Sequence, residues 1–335
     1  MKPIIIHDSV FGIIKITEPV IIKLIQSPSM QRLKDIDQAG YFQPLVPHKK
    51  HTRFEHSIGV YWLLHIHHAP LEEQIAGLIH DVSHGVFSHC LDYALAGDKE
   101  GEQSHQDNIF ETFVLTSEIP SLVKTYGFDI HRILDDTLHP LKETTIPDLC
   151  ADRIDYSLRS AIVYAHTPKK KIQYILDHLT VKNTLWIFTD YKSAKLYAEL
   201  FYLLNTNYYS GFPSAVMFRT VGNTVSYALH KKYLTHNDLY KTDTHVLSIL
   251  MKITKKDPEL YKHYQLMINP KEIRNNPNSY DVTVVCKSRI VDPFFISRGK
   301  ILRVSEKNPK WNTIVQKELM PKKYFLKFPE GMEKH

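Results

Sequence analysis

Four residues that bind divalent metals well constrain how this chain can fold. They are His56, the adjacent pair His80 and Asp81, and Asp152, and they are spread over a long stretch of sequence. Imidazole and carboxylate together suit a borderline or hard cation rather than a soft one. A metal held by this set can polarise a phosphate and lower the pKa of a bound water. The pattern predicts a fold that gathers distant segments around a metal, and a metal-dependent phosphohydrolase.

The adjacent pair sets a local condition. Neighbouring helical residues point about 100° apart, so His80 and Asp81 reach one ion only near a helix end, which the segment 83–85 would supply. His56 lies in a preceding helix that antiparallel packing could place alongside, and Asp152 arrives from a later helix. Alone, the pair is more typical of a helix C-terminus with a capping aspartate than of a metal site. With His56 and Asp152 it favours a metal site that stays open to water and substrate.

Size and composition fit a protein with a sizeable core. The 335 residues are enough for one large domain or two, and 43% of them are apolar. We expect neither a membrane span nor a signal peptide. Three widely spaced cysteines fit a reducing, cytoplasmic environment. The net charge of +6 suits an anionic small molecule as well as nucleic acid, although no stripe of basic and aromatic residues indicates the latter.

Hydrophobic periodicity predicts a mainly α-helical protein. We expect a hairpin in the first 16 residues and helices over about 17–40 (broken at 27–28), 53–68, 71–84, 104–117, 147–166, 192–208 and 214–235. Strands are predicted at 185–190 and, after about residue 270, in DVTVVCKSRIVDPFF. The basic run 169–171 is expected in a solvated loop. The interpretation is a helical catalytic domain over 1–265 and a smaller α+β region over 266–335.

Several motifs occur together in this chain. They are HTRFEHSIGV, IAGLIHDVSHGVFSH and ADRIDYSLRSA, preceded by IHDSVFGIIKI and SPSMQRLKDIDQAG and followed by the late KSRIVDP. On these motifs the sequence resembles the HD-domain phosphohydrolases, in the branch of bacterial dNTP triphosphohydrolase-like proteins and the vertebrate HD-domain dNTP triphosphohydrolase. The order and spacing of RFEHS, HDxxHGxFSH and ADRxDY form a highly specific signal. The resemblance implies a helical HD core over about 50–165 and a smaller mixed C-terminal region.

The resemblance also implies roles for the metal centre and the reacting phosphate. The implied metal ligands are His56, His80, Asp81 and Asp152, of which Asp81 also counts as catalytic. His105 matches the histidine that acts as general acid to the leaving oxygen, a task that a pKa near neutrality suits. His84 matches a histidine that faces the α-phosphate, and we expect it one helical turn after His80 on the same face.

Substrate contacts follow from the same resemblance. Arg53, one turn before His56, and Arg153 match phosphate ligands, and guanidinium suits bidentate contact with phosphate. Tyr156 matches a substrate-contacting tyrosine, and Gln38 matches a residue near the sugar. Ser160 stands where dNTP-hydrolysing relatives carry an aspartate that reads the sugar 3′-hydroxyl.

Some departures from the family pattern affect these roles. Gln106 replaces the acidic residue that usually orients the catalytic histidine, and a glutamine does not stabilise an imidazolium as a carboxylate does. Ser160 bonds a hydroxyl more weakly than an aspartate. Gln26 replaces an aspartate that the vertebrate enzyme uses at its nucleotide activator site. The hydrolytic centre is therefore complete, while the residues that read a deoxynucleoside are altered.

The leading hypothesis is a dNTP triphosphohydrolase, which converts a dNTP into a deoxynucleoside and triphosphate. A nucleoside monophosphatase or phosphodiesterase would use the same centre. An HD-fold diiron oxygenase is disfavoured by Arg53 and its RFEHS context, and a catalytically weak nucleotide sensor or nucleic-acid-binding module stays open. The expected cofactor is a divalent metal, with manganese, magnesium, iron, nickel, cobalt and zinc all open. The expected partners are a nucleotide or another phosphorylated small molecule and, by resemblance, further copies of the chain in a dimer or tetramer.

Overall fold

Helices carry most of the chain in the computed structural model, which describes residues 2–47, 50–95 and 105–330. In chain order they are α1 (Pro19–Ile25), α2 (Pro28–Arg32), α3 (Arg53–Ile66), α4 (Leu71–Ile79), α5 (Cys90–Leu95), α6 (His105–Leu115), α7 (Ile119–Thr125), α8 (Ile130–Leu134), α9 (Ala151–Val163), α10 (Lys169–Asp177), α11 (Tyr191–Leu204), α12 (Phe212–His230), α13 (Asp243–Ile253), α14 (Pro258–Ile268), α15 (Val304–Lys307) and α16 (Pro309–Glu318). The prediction of a mainly α-helical fold is confirmed. Within the described ranges, no helix has both the length and the apolar sequence that a bilayer crossing demands.

Small sheets accompany the helices. Their strands are β1 (Ile4–Asp8), β2 (Gly12–Ile16), β3 (Leu179–Lys182), β4 (Leu185–Phe188), β5 (Arg274–Asn275), β6 (Val282–Cys286), β7 (Phe294–Ser297), β8 (Lys300–Arg303) and β9 (Lys322–Lys327). β1 and β2 form the expected N-terminal hairpin. A second sheet has the order β3-β4-β7-β8, with β4 and β7 parallel, and a third has the antiparallel order β5-β9-β6. The second sheet therefore pairs strands from both sides of residue 265.

Helix α3 lies at the centre of the fold. It begins with a capping box, in which the Thr52 side chain accepts from the Glu55 backbone N–H and the Glu55 carboxylate accepts from the Thr52 N–H. Its buried side chains belong to two hydrophobic clusters, since Ile58 packs in one and Leu63 in the other. Burial on two sides explains why α3 has little polar surface.

Helices α4 and α9 pack against α3 from these two clusters. Ile75 and Ile79 of α4 belong to the first cluster, and Ile154 and Leu158 of α9 belong to the second. Helix α9 begins after Cys150, whose Sγ accepts from the backbone N–H at the first turn. The metal-binding motifs thus lie on, or directly after, three helices that meet at the junction of the two clusters.

Several predicted element boundaries are wrong. The helix expected over 147–166 begins at Ala151, because Cys150 and the turn before it cap the helix later than a proline rule suggests. The helix expected over 71–84 ends at Ile79. Residues 169–171 begin α10 rather than a loop, since Ile172 and Ile175 bury one side of that helix while the lysines stay largely solvated. Helices α5, α7, α8, α13, α14, α15 and α16 lie outside the helices predicted from the sequence.

Candidate metal centre and substrate cavity

The four predicted metal ligands lie together. His56 is on α3, Asp152 is in the first turn of α9, and His80 and Asp81 directly follow α4. His56 Nε2 lies 3.2 Å from His80 Nε2 and 2.9 Å from Asp152 Oδ1. His80 Nε2 lies 3.5 Å from Asp152 Oδ1 and 3.5 Å from Asp81 Oδ1. Because α4 ends at Ile79, the adjacent side chains of His80 and Asp81 can turn towards one point.

One ligand atom each from His56, His80 and Asp152 lie within 4.8 Å of one another, a spacing that fits one bound cation, and Asp81 Oδ1 lies beside this group at 3.5 Å from His80 Nε2. Ligand atoms about 2.1 Å from a metal lie roughly 3 Å from one another in common geometries. His56 Nδ1 contacts Asp155 Oδ2 at 2.7 Å, and His80 Nδ1 contacts the Gly77 carbonyl oxygen at 2.8 Å. Both oxygens accept, so each Nδ1 carries the proton and each Nε2 lone pair faces the centre. Two imidazoles with Asp81 and Asp152 form a donor set for a hard or borderline divalent cation.

Carboxylates dominate the electrostatics of this cluster. Burial lowers the pKa of His56, but Asp152 and Asp155 outweigh burial and raise the pKa to about 9. Burial raises the pKa of Asp81, yet Arg53 and the neighbouring imidazoles hold it well below its ordinary value. Without a metal, the cluster therefore keeps a proton on His56 at neutral pH. A cation that enters the site displaces this proton.

Asp155 positions His56 from behind. This carboxylate is fully buried and also accepts from Arg159 Nη2 at 2.8 Å, while Arg159 Nη1 contacts Asp8 Oδ2 at 2.8 Å. A line of contacts thus runs from the N-terminal hairpin through α9 to His56, a predicted metal ligand. Helix α3 can approach this closely only because Gly59 has no side chain, since a Cβ there would lie 1.8 Å from Asp155 Oδ1. Hydrogen-bonded carboxylates behind metal-binding histidines fix the ring orientation.

A cavity of about 480 Å³ opens onto the metal centre. This volume falls in the range of small-molecule sites. The predicted site residues that line it are Gln38, Arg53, His80, Asp81, His84, Asp152, Arg153, Tyr156 and Ser160. His56 lies behind this wall with no exposed surface, and His105 is outside the lining.

The two arginines predicted to hold phosphate are both held by carboxylates. Arg53 is buried, and its Nη1 lies 2.7 Å from Asp81 Oδ2. Arg153 Nη2 lies 2.8 Å from Glu143 Oε1, and its Nη1 lies 3.1 Å from Cys150 Sγ. These contacts fix the guanidinium groups at the cavity wall. They also offset part of the positive charge that an anionic ligand would meet.

The two histidines predicted to act on the phosphate chain occupy different places. His84 lines the cavity, with Nε2 at 3.3 Å from Asp81 Oδ1, but the expected helical turn between it and His80 is wrong because α4 has already ended. Burial and Arg53 lower the pKa of His84 to about 3, so its ring is neutral. His105 begins α6, and its Nε2 lies 3.0 Å from the Tyr240 hydroxyl. Its role as general acid stays a prediction, since its ring must turn to reach the cavity.

Gln106 is bonded to the metal-binding loop rather than to the His105 ring. Its Nε2 donates to the His80 carbonyl oxygen at 3.0 Å and to Ser83 Oγ at 2.9 Å. The Asp92 carboxylate accepts from the His105 backbone N–H at 2.9 Å. The side chain of Gln106 therefore supports the segment that carries the predicted metal ligands His80 and Asp81.

Further basic residues on the wall were missed from the sequence. Lys142, Lys287 and Arg289 line the cavity. Lys142 pairs with Asp136, at the rim. Lys287 and Arg289 belong to KSRIVDP, between β6 and β7. That motif was the available signal, but its long separation from the HD core concealed that the C-terminal region contributes to the same cavity.

Several known proteins are similar to this chain in sequence or in fold. No protein-family model matches the chain. It is 33% identical to the uncharacterized protein YdhJ of Bacillus subtilis over 307 residues. The alignment covers 90% of this chain and 92% of that protein. It is 36% identical over 176 residues to the metal-dependent phosphohydrolase cns2 of Cordyceps militaris, covering 52% of this chain and 50% of that protein. It is 32% identical over 162 residues to human deoxynucleoside triphosphate triphosphohydrolase SAMHD1, covering 41% of this chain and 26% of that protein.

The chain therefore spans about half of the Cordyceps protein and a quarter of the human one. A solved structure of a phosphohydrolase from Bacteroides thetaiotaomicron superposes with a TM-score of 0.73 over 96% of this chain and 98% of that one. The sequence identity of this pair is 20%. At that level the similarity shows a shared fold, and it extends over almost the whole of both chains.

Proposed function

The chain belongs to the HD-domain phosphohydrolase family, in its dNTP triphosphohydrolase-like branch, and on this premise we propose that it hydrolyses nucleotides. It is a metal-dependent phosphohydrolase. The specific reaction we propose converts a dNTP into a deoxynucleoside and triphosphate. One observation carries the proposal: His56, His80, Asp81 and Asp152 converge at a cavity whose wall is rich in basic side chains.

Charge along the cavity supports an anionic substrate. The basic side chains on its wall are Arg53, Lys142, Arg153, Lys287 and Arg289. Guanidinium groups bind phosphate oxygens in bidentate geometry, and lysines bind them as point charges. A divalent cation on the four ligands would polarise a phosphate and ionise a water. The wall and the metal centre are thus suited to the same group.

In this proposal the nucleoside half of the substrate lies along α9, the helix that carries Asp152. Tyr156 and Ser160 follow Asp152 at intervals of four residues on α9, so they extend one wall away from the metal centre. Gln38 lines the cavity with them. We assign the sugar to these three side chains. The Ser160 hydroxyl offers one hydrogen bond to a sugar hydroxyl where the resemblance predicts a carboxylate.

The remaining predicted side chains act on the phosphate chain of the substrate, each in a different role. Arg53 and Arg153 hold phosphate oxygens, and the neutral His84 ring contacts the phosphate beside the metal ligands. In this proposal His105 protonates the leaving oxygen after its ring turns away from Tyr240 towards the cavity. The turn is the one rearrangement that the proposal requires.

A nucleoside monophosphatase or phosphodiesterase is the second candidate, and the pairing of basic residues favours it. Arg53 contacts Asp81, Arg153 contacts Glu143, and Lys142 contacts a further carboxylate. A triphosphate carries more negative charge than a monophosphate or a diester. A wall whose cations are already paired suits the smaller charge better.

The test is a product analysis with matched variants. Purified protein is incubated with manganese or magnesium and with dNTPs, NTPs, monophosphates and cyclic nucleotides, and products are separated by ion exchange. Triphosphate and deoxynucleoside, absent with Asp81→Ala and unchanged with the exposed control Asp177→Asn, are the expected products. Orthophosphate from monophosphates would favour the second candidate. If no nucleotide gives a product, a catalytically weak nucleotide sensor becomes the better interpretation of the site.

A further inference from the structure

Helix α9 arranges the cavity in a fixed order. Asp152 belongs to the metal centre, and Tyr156, Ser160 and Tyr164 follow at intervals of four residues; all of them line the cavity. A helix rises about 1.5 Å per residue, so Tyr164 lies roughly 18 Å along the axis from Asp152. The phosphate, sugar and base of a nucleotide follow one another in the same linear order. The proposed sugar contacts leave the Tyr164 end of the cavity unassigned.

The Tyr164 end of the cavity holds buried polar groups that lack hydrogen bonds within residues 2–47, 50–95 and 105–330. Neither ring nitrogen of His51 has a partner in these ranges, although this residue is only 3% exposed, and the hydroxyl of Tyr164, which is 4% exposed, has none there either. Both residues line the cavity. Most buried polar atoms in proteins are hydrogen-bonded, so these exceptions, together with Gln38 Oε1 and the Tyr156 hydroxyl on the same cavity wall, point to a ligand. Burial lowers the pKa of His51 to about 3, so the neutral ring offers one donor and one acceptor.

Aromatic rings surround these polar groups. The rings of Tyr164 and Tyr208 stack with centroids 5.3 Å apart, and the Phe42 ring lies 5.8 Å from that of Tyr164. The His51 ring lies 5.7 Å from Tyr164. Phe42 and Tyr208 also line the cavity, and the Tyr208 hydroxyl donates to the Tyr164 carbonyl oxygen at 3.1 Å. Aromatic walls with a few fixed polar groups form the environment in which proteins bind nucleobases.

We propose that Phe42, His51, Tyr164 and Tyr208 form a nucleobase subsite, in which His51 and Tyr164 read the edge of the base. The proposal rests on the proposed nucleotide hydrolysis and adds that this protein selects its substrate by base. The base packs against the aromatic side chains while the imidazole and the phenol exchange hydrogen bonds with its edge. A wrong base leaves these buried groups unpaired, which costs binding energy and gives discrimination.

The test compares substrates that differ only in the base. Turnover of four nucleotides is measured with manganese, beside a compound that has the same sugar and phosphates but no base. We expect the best base to exceed the poorest at least tenfold in kcat/KM, and the base-free compound to be at least tenfold poorer than the best nucleotide. His51→Phe keeps a ring and removes both nitrogens, and Tyr164→Phe removes one hydroxyl. Each variant should compress the ratio between bases to within about threefold.

The control for these variants is Tyr202→Phe. Tyr202 is half-buried against Trp311 and lies outside the cavity lining, so its hydroxyl should affect neither the rates nor the ratios. Equal turnover of all bases and of the base-free compound by the wild-type protein would overturn the subsite. So would His51→Phe and Tyr164→Phe proteins that slow every nucleotide equally and leave the ratios intact.

A binding measurement separates this inference from the proposed function. Nucleosides, which carry no phosphate, are titrated calorimetrically into the Asp81→Ala protein. Binding that differs between bases and weakens at least fivefold on adding Tyr164→Phe would support the subsite even where no nucleotide is hydrolysed. Hydrolysis without base preference, together with no difference in nucleoside binding, would reject the subsite and leave the phosphohydrolase intact. Neither hydrolysis nor nucleoside binding would reject both.

Discussion

His56 can bind a metal in only one ring orientation, and Asp155 sets it. The carboxylate accepts from His56 Nδ1 at 2.7 Å, which directs Nε2 at the centre, where a metal can displace its proton. We predict that Asp155→Asn weakens metal binding by 10- to 100-fold, the usual effect of losing such a partner. Isothermal titration of manganese into metal-free protein measures the change.

The matched control for this variant is Asp177→Asn. Asp177 is exposed on α10, where it accepts from Gln173, so its charge should not affect the metal centre. Circular dichroism of both variants shows whether they are folded, because Arg159 loses a charged partner when Asp155 is changed. A folded Asp155→Asn protein with wild-type affinity would show that the His56 ring is oriented by other contacts.

Asp37 gives the protein a pH-dependent stability. Burial raises the pKa of this carboxyl from its ordinary value of 3.8 to about 7. Between these values the folded protein holds a proton that the unfolded chain has released, so the free energy of unfolding falls as the pH rises from 4 to 7. Asp37→Asn keeps an oxygen to accept from the Ala39 N–H and cannot ionise. We predict that it gains on the order of a few kcal/mol relative to wild type between pH 4 and pH 8.

Urea unfolding at several pH values measures that difference, and metal-free protein is used throughout. Asp243, whose pKa burial raises to about 8, contributes a slope of the same sign, and the Asp37 charge raises its pKa further, so Asp37→Asn reduces the Asp243 slope as well and the difference between the two proteins reports both carboxyls. The ionisation of His56 contributes equally to both proteins and cancels in the comparison. Parallel stability curves for wild type and Asp37→Asn would mean that Asp37 is already ionised in the folded protein at low pH.

Local sequence patterns predict where individual helices begin and end. Hydrophobic periodicity predicts that α3 begins at residue 53, and the adjacency of His80 and Asp81 predicts that a helix must end near them. Contacts between elements are less visible. The pairing of Asp155 with His56 depends on how closely α3 and α9 approach, which no single segment encodes. The His105 ring faces Tyr240, from a segment that pattern analysis could not place nearby.

The close approach of α3 and α9 depends on Gly59. A Cβ at this position would lie 1.8 Å from Asp155 Oδ1 and 2.5 Å from Arg159 Nη2. Alanine would otherwise favour the helix by about 1 kcal/mol, but here it must force the two helices apart. We predict that Gly59→Ala destabilises the protein by about 2–3 kcal/mol and weakens manganese binding at least tenfold. Thermal unfolding and metal titration measure the two effects.

The control lies on the same helix. Ser57 is buried and its hydroxyl has no hydrogen-bond partner among the described residues, so Ser57→Ala should change stability little. If Gly59→Ala instead stabilises the protein by about the amount that alanine favours a helix, then α3 and α9 leave room for a methyl group between them in solution. Loss of stability without any loss of metal affinity would separate helix packing from the orientation of His56.

The whole molecule combines two hydrophobic clusters, and the metal centre lies where they meet. His80 and Asp81 follow a helix of the first cluster, whereas Asp152 lies on a helix of the second. Sequence periodicity identifies apolar faces, but it does not say which faces share a cluster. The late KSRIVDP segment likewise reaches the cavity through Lys287 and Arg289 only after the β-strands around it have paired. The convergence of His56, His80, Asp81 and Asp152 was therefore predictable from motifs, while the rest of the cavity wall depended on tertiary packing.

A metal at this junction should stabilise the entire fold. Ligands from both clusters bind it together, so unfolding of either cluster releases it, and the gain follows the ratio of metal concentration to Kd. We predict that manganese at 100 times its Kd raises the free energy of unfolding by about 2.7 kcal/mol. Asp152→Ala, which removes one ligand, should abolish the gain. Differential scanning calorimetry with and without the metal measures it.

At a fixed manganese concentration, the gain in the free energy of unfolding should increase with pH. Since the pKa of His56 is raised to about 9, a metal must displace a proton at any lower pH, and its affinity should rise roughly tenfold per pH unit up to that value. The same proton stabilises the metal-free protein at low pH, and that contribution is lost as the pH rises from 6.5 to about 9. At a fixed manganese concentration, the shift in unfolding temperature should therefore be larger at pH 8 than at pH 6. An equal shift at both values would mean that His56 is neutral before the metal binds, and that the carboxylates around it are compensated by another charge.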